Sequence, residues 1–232
     1  MVYNSAFKNL LNSLLPVSCG LCNATTGGHL SLCQPCLSEL PFLGSACSTC
    51  ALPMASTGRC GKCQQHCPTC DQCLALFLYQ EPVKFLIQQF KFSHKLEYGC
   101  LFSSLMAKKL LSLQEWPHVL IPVPLHPSRL RSRGFNQSWE ITRQLSRITG
   151  INASHKICQR IKKTPLQTGL KASERKRNLK QAFAVIADVK DLHICIVDDV
   201  MTTGSTLEAI AEVLKAAGAK RVSGMVVARA VL

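Results

Sequence analysis

The sequence predicts an α/β protein: a doubly wound parallel sheet preceded by a small cysteine-rich module. Three observations carry this reading. Eleven of the fourteen cysteines lie between Cys19 and Cys73. From Leu74 onward, short apolar runs alternate with segments of helical spacing, as in βαβ units. The apolar run Ile194-Cys195-Ile196-Val197 leads through a hydroxyl-rich loop into a helix and a second apolar run, Val222 to Ala228. Strand, helix and strand over about 35 residues make one parallel unit. The expected division is residues 1–75 for the cysteine-rich module and 76–232 for the α/β domain.

A chain of 232 residues allows one or two domains. At 47% apolar and 17% charged, it is too apolar to be disordered. No run approaches 18 consecutive apolar residues, so no spanning helix is expected. At the start, Lys8 precedes Leu10, Leu11, Leu14 and Leu15, but Asn12 and Ser13 interrupt the run and Pro16 closes it. That is too short for an export signal. Spacing from Phe7 reads instead as an amphipathic helix leading the module. The expected location is the cytoplasm, where thiols stay reduced.

The cysteines fall in C-x-x-C pairs: Cys19-Cys22, Cys33-Cys36, Cys47-Cys50 and Cys60-Cys63. Two intervening residues let a tight turn aim both sulfurs at one ion, and two such knuckles close a tetrahedral site. The simplest assignment is two structural zincs, on Cys19/Cys22/Cys33/Cys36 and on Cys47/Cys50/Cys60/Cys63. Few large apolar residues lie between the pairs, so metal replaces a core. A disulfide framework and an iron–sulfur cluster are the alternatives. Cys67, Cys70 and Cys73 repeat the spacing beside His66 as spare or alternative ligands. Cys195, inside an apolar run, reads as a core residue.

Elements of the α/β domain follow in order. Val83 to Phe90 and Leu101 to Leu113 have helical apolar spacing. Val119 to Val123 reads as a strand ending in a Pro-rich loop. Asn136 is a good N-cap for a helix to Thr149. Lys156 to Ile161 and Ala182 to Ala187 are candidate strands. Residues 194–197 form a buried parallel strand, being wholly apolar. Ser205 to Ala217 is a helix stopped by Gly218, and Val222 to Ala228 is the next strand.

Charge is concentrated. Residues 121–180 hold fourteen basic side chains against Glu140 and Glu174, a net of +12 within a chain of +14. This is the footprint of a polyanion site, phosphates or nucleic acid. A solvated basic face is the plainer reading, but such a face intersperses acids.

Chemistry concentrates at Ile196-Val197-Asp198-Asp199-Val200-Met201-Thr202-Thr203-Gly204-Ser205-Thr206. Two adjacent carboxylates at the end of a buried strand are placed to accept hydrogen bonds from vicinal hydroxyls. Thr202, Thr203, Ser205 and Thr206 offer hydroxyls and N–H groups at a helix N-terminus, an anion nest. Gly204 lets the backbone approach a phosphate closely. Diol acceptors beside a phosphate cradle describe a 5-phosphoribosyl group. The plainer readings are a metal or cap pair for the acids and an ordinary N-cap for the loop.

Here the chain resembles the type I phosphoribosyltransferases, whose phosphoribosyl-pyrophosphate signature has this form. Four further stretches narrow the resemblance to the ComF/GntX family. They are Pro16-x-x-Cys19-x-x-Cys22; Tyr79 with Leu86-Ile87 and Phe90-Lys91-Phe92; Pro122-Val123-Pro124 with Arg131 and Arg133-Gly134-Phe135-Asn136-Gln137; and Arg160, Thr164, Gln167, Leu170, Arg175, Asn178 and Ala182-Phe183. The third cysteine cluster departs from the family pattern.

The resemblance implies a type I phosphoribosyltransferase-like sheet that binds phosphoribosyl pyrophosphate with Mg2+. It gives Pro124, Leu125 and His126 the pyrophosphate loop and Asp198 and Asp199 the ribose and any catalysis. Arg133 joins them at the donor, since guanidinium forks suit pyrophosphate oxygens. It also implies a role in uptake or use of DNA, with single-stranded DNA and DNA-uptake helicase machinery as partners. The expected nucleic-acid contacts are Arg129, Arg131, Arg133, Lys162, Lys163, Arg175, Lys176 and Arg177. Residues 162–177, with Gly169, are the expected mobile lid. No acceptor signature is visible. The competing reading is an active phosphoribosyltransferase of nucleotide salvage with purely structural zinc fingers.

Overall fold

The computed structural model describes residues 18–26, 30–93, 95–162 and 181–231. The expected leading helix, Lys163, Arg175, Lys176, Arg177 and most of the expected lid lie outside these. Two short helices, α1 (Gln34–Ser38) and α2 (Gly61–Gln65), each begin just after a cysteine that opens a C-x-x-C pair. Then come β1 (Gln72–Leu78), α3 (Val83–Phe92), α4 (Leu96–Leu111) and β2 (Val119–Pro122). They are followed by α5 (Pro127–Arg133), α6 (Gln137–Thr149), β3 (Asn152–Ala153) and β4 (Cys158–Arg160). The chain closes with β5 (Phe183–Val185), β6 (His193–Met201), α7 (Ser205–Ala216) and β7 (Arg221–Arg229).

Five strands form one parallel sheet in the order β1-β7-β6-β2-β3, so β6 is central. Its apolar residues are buried on both faces, which is why they run without alternation. One core cluster joins α3, α4 and α6 to residues of the first cysteine module, among them Cys19, Leu32 and Leu40. A second joins α7 and β5 to Ala51, Cys70 and Cys73, and a third, small one gathers Cys47, Cys60 and Cys63. β4 and β5 pair antiparallel to each other, away from the main sheet.

Four features differ from the sequence expectation or lay beyond it. First, β1 is a full member of the sheet, and the expected boundary at 75/76 falls inside it. The preceding chain lies against it: Leu43 N–H donates to Leu76 O at 2.7 Å, and Leu78 N–H to Pro41 O at 2.9 Å. Second, α4 starts at Leu96 rather than Leu101. It runs through Gly99 because the Phe90 ring sits where a side chain would be, 2.9 Å from an added Cβ. Third, the Pro-rich loop contains α5. Pro127 fits the first turn, where its missing N–H costs nothing. His126 caps that turn, and Gly134 ends it at φ 81°. Fourth, β6 continues past Val197 to Met201, so both acids lie within the strand, where Asp198 pairs with Val226 of β7.

Asn136 caps α6 as expected, its side chain accepting from Ser138 and Trp139 N–H groups. Cys195 is buried as expected, and burial pushes its thiol up to about 12.

Candidate functional site

The two cysteine tetrads form as the spacing predicts. In each, the four sulfurs lie within 4.8 Å of one another. Cys22 and Cys33 sulfurs are 3.6 Å apart, and Cys50 and Cys60 sulfurs 3.7 Å. A tetrahedral zinc with bonds of about 2.3 Å needs sulfurs about 3.8 Å apart. The sets are therefore compatible with two structural zinc ions. Backbone donors favour thiolate. Burial opposes ionisation of Cys47, yet N–H groups of Cys60, Cys50 and Thr49 bring it down to about 6. Cys19 also falls to about 6, against its burial, through Cys22, Cys33 and Leu21 N–H groups.

The third cysteine group joins neither tetrad. Cys70 and Cys73 are buried with sulfurs 3.5 Å apart, and the Cys70 thiol reaches Val222 O at 3.7 Å. Cys67 is exposed and accepts from Arg59 at 3.0 Å.

A cavity of about 290 Å³ opens at the C-terminal edge of the sheet. Its walls include Asp198, Asp199, all of Thr202–Thr206, Leu125, Arg129, Arg133, Arg160 and Lys91. Gly204 adopts φ 80°, a left-handed turn that suits glycine, and α7 starts at the next residue. Thr203 Oγ1 lies 2.8 Å from Ser205 Oγ and accepts from Ser205 N–H at 3.4 Å, which fixes the turn. The N-terminus of the twelve-residue α7 thus faces the cavity and adds positive potential.

The two acids are held differently. Asp199 pairs with Lys91 of α3 at 2.8 Å, both side chains largely buried. Asp198 accepts from Ser138 Oγ of α6 at 2.7 Å. Burial, then the Asp199 charge, pushes the Asp198 carboxyl up to about 7 against the Ser138 bond and Lys91.

Arg129, Arg133 and Arg160 line the same cavity. Arg133 donates to Gln137 Oε1 at 2.8 Å and stacks 5.3 Å from the Phe92 ring centre. Arg160 lies 5.6 Å from the Phe183 ring centre. Burial, then the Arg129 charge, lowers the affinity of both guanidiniums for their protons. They remain charged all the same, which makes this part of the cavity electropositive.

Of the residues expected at the donor, Arg133, both acids and the loop line the cavity together. Leu125 lines it too. Pro124 lines an adjoining groove, with Phe135, Trp139 and His155. His126 instead caps α5, accepting from Ser128 N–H at 3.2 Å. Of the expected nucleic-acid contacts, Arg129 faces the cavity, Arg131 is exposed on α5, and Lys162 donates to Gln181 at 3.2 Å. Sequence reasoning did not assign Lys91, Ser138 or Arg160 to the site. The signal for Lys91 was a cation between Phe90 and Phe92 in an apolar helix, and for Arg160 a cation opening the stretch before the expected lid.

Comparisons with known proteins agree with this geometry. Residues 10–64 match the double zinc ribbon domain, and residues 98–230 the phosphoribosyl transferase domain. DNA utilization protein YhgH of Salmonella typhimurium is 34% identical over 90% of this chain and 95% of its own. Competence protein F of Haemophilus influenzae is 33% identical over 88% of this chain and 91% of its own. Competence protein ComFC of Streptococcus pneumoniae is 28% identical over 82% of this chain and 84% of its own. Two cysteine tetrads leading a phosphoribosyl transferase domain, with such relatives along nearly the whole length, place the chain in the ComF/GntX family.

Proposed function

We propose that this protein handles single-stranded DNA during uptake or use of external DNA, and that its cavity binds a phosphoribosyl-pyrophosphate-type ligand with Mg2+. The carrying observation is the cavity itself: two carboxylates beside a Gly204-centred cradle, facing Arg129, Arg133 and Arg160. In this reading Asp198 and Asp199 accept from the ribose hydroxyls, the cradle holds the 5-phosphate, and the arginines meet the pyrophosphate. Mg2+ bound with the ligand would add positive charge against the pyrophosphate, beside the arginines that line the cavity. The relatives' names and the net +12 of residues 121–180 support the DNA role, through phosphate contacts. The cysteine-rich segment before β1 serves as a zinc-held module, and the chain from β1 onward as the ligand-binding domain. Work on incoming single strands puts the protein in the cytoplasm beside DNA-uptake helicase machinery.

A second reading is catalysis. Asp198 lines the cavity with Ser138 Oγ 2.7 Å away, and burial with the Asp199 charge raises its carboxyl toward neutrality, which suits a group that moves a proton. In that reading the protein is a phosphoribosyltransferase of nucleotide salvage with structural zinc ribbons. A nucleobase panel with phosphoribosyl pyrophosphate and Mg2+, read by pyrophosphate release, separates the two. Release with one defined base makes it an enzyme. Calorimetric binding without release, together with salt-sensitive binding of single-stranded DNA, supports the proposal. No binding of either ligand refutes it.

A further inference from the structure

We infer that Arg229 is a positioning residue: it ties the second cysteine tetrad to the hydroxyl-rich loop, so that the tetrad's integrity sets the loop's shape. Only the ligand readout of this inference rests on the phosphosugar reading above.

Arg229 ends β7 and is 7% exposed. Its Nε donates to the carbonyl of Cys50, a member of the second tetrad, at 3.0 Å. Its Nη1 donates to Met201 O at 3.3 Å, and also to the carbonyls of Thr202 and Ala230. Met201 and Thr202 open the loop. Among the described residues no carboxylate pairs with this guanidinium. A buried cation is costly unless its donors are satisfied, and here backbone carbonyls of three segments satisfy them. A planar fork can span those segments at once; an ammonium cannot.

A second link closes the other end of the loop. Glu208, in the first turn of α7, accepts from Thr69 N–H at 2.6 Å and Cys70 N–H at 3.3 Å. Thr69 and Cys70 lie six and seven residues past Cys63, the last cysteine of the second tetrad. The module therefore holds the loop's entry through Arg229 and its exit through Glu208. Peptide geometry gives this grip a consequence. Across a trans peptide, the carbonyl and the next N–H point in opposite directions. Carbonyls of Met201 and Thr202 drawn to Arg229 fix where the N–H groups of Thr202 and Thr203 point, and both residues line the cavity. The first tetrad has no such link among the described residues. Its residues pack with the core cluster of α3, α4 and α6, where the Tyr98 ring abuts Gly20.

The test uses the zinc-loaded full chain and amide hydrogen exchange, with calorimetry of phosphoribosyl pyrophosphate and Mg2+ alongside. In Arg229→Met, exchange should quicken at residues 202–206 and near Cys50, but not at 19–36. Zinc should stay at two equivalents, and ligand affinity should fall by about tenfold or more, the scale of a lost charge-assisted hydrogen bond. Arg229→Lys should keep the charge yet fail to restore the loop. If Arg229→Met does not fold, Cys63→Ser and Cys36→Ser decide the matter. Only Cys63→Ser should quicken exchange at 202–206. An unchanged loop in Arg229→Met or Cys63→Ser, or equal loosening in Cys36→Ser, overturns the inference. Failure of wild type to bind the ligand would refute the phosphosugar reading alone, since exchange needs no ligand.

Discussion

Replacing Asp198 with Asn gives a measurable change in how stability depends on pH. The substitution keeps the shape and an acceptor for Ser138, and it removes the titrating proton. In the folded chain this carboxyl is raised from 3.8 to about 7. A raised carboxyl means that the folded state holds the proton more tightly than the unfolded state. Wild-type stability contributed by this group is therefore present at low pH and is lost as pH rises from about 4 to about 7. Every tenfold gain in proton affinity corresponds to roughly 1.4 kcal/mol, so the full loss is on the order of 4 kcal/mol. Asp198→Asn has no such loss. Urea unfolding of the zinc-loaded proteins should show the variant gaining on wild type by about 2 kcal/mol between about pH 5 and pH 7, and levelling off by about pH 8. Other titrating groups are shared, and their contributions cancel in the difference. In an Asp199→Asn background the change should move to lower pH, because the Asp199 charge is one of the causes of the raised value. Parallel stability curves for wild type and Asp198→Asn would refute the reasoning.

Metal analysis under reducing conditions should give two or more zinc equivalents per chain, with chelation unfolding the ribbons; paired disulfides without metal would overturn this. Single-stranded DNA affinity should fall with salt, with a log–log slope of about 0.7 per neutralised phosphate. Changing Arg129, Arg131 and Arg133 to Ala should flatten that slope, and an unchanged slope would remove α5 from the contact surface. Lys91→Met should destabilise the fold by about 3 kcal/mol, since it leaves Asp199 buried without its cation. Adding Asp199→Asn should recover most of that loss. Urea unfolding of the single and double variants checks both, and additive losses would contradict the ion pair.

What the sequence made legible was local. Strand β6, its two acids, the Thr202–Thr206 loop and α7 are contiguous, so their chemistry reads in one pass. The Asn136 cap and the four C-x-x-C pairs are likewise short-range patterns. What it hid was non-local or doubly coded. Strand β1 begins beside Cys70 and contains Cys73, residues that read as ligands but pack in the core. Helix α5 is written in prolines and arginines, which read as a loop until the His126 cap and Gly134 stop are seen together. Lys91 reaches Asp199, and Arg229 reaches Cys50, across contacts that no window of the sequence spans.

These long-range contacts resolve a conflict that the sequence alone left standing. In the proposed reading, two carboxylates beside a phosphate cradle should repel the anion that the cradle holds. The fold removes most of that repulsion without removing the acceptors. Asp199 carries its own counter-charge in Lys91, and burial with the Asp199 charge shifts Asp198 toward its neutral form. Against them stand Arg129, Arg133 and Arg160, so the cavity is net positive while still offering carboxylate oxygens to a diol. In the proposed reading, a ligand with both an anionic end and vicinal hydroxyls gains from both walls. A simple anion gains only from the cradle and the arginines. Inorganic pyrophosphate should therefore compete with phosphoribosyl pyrophosphate but bind more weakly. Asp198→Asn should narrow that gap by lowering the affinity of the sugar phosphate alone. Equal losses for both ligands would assign the acids to the metal rather than the ribose.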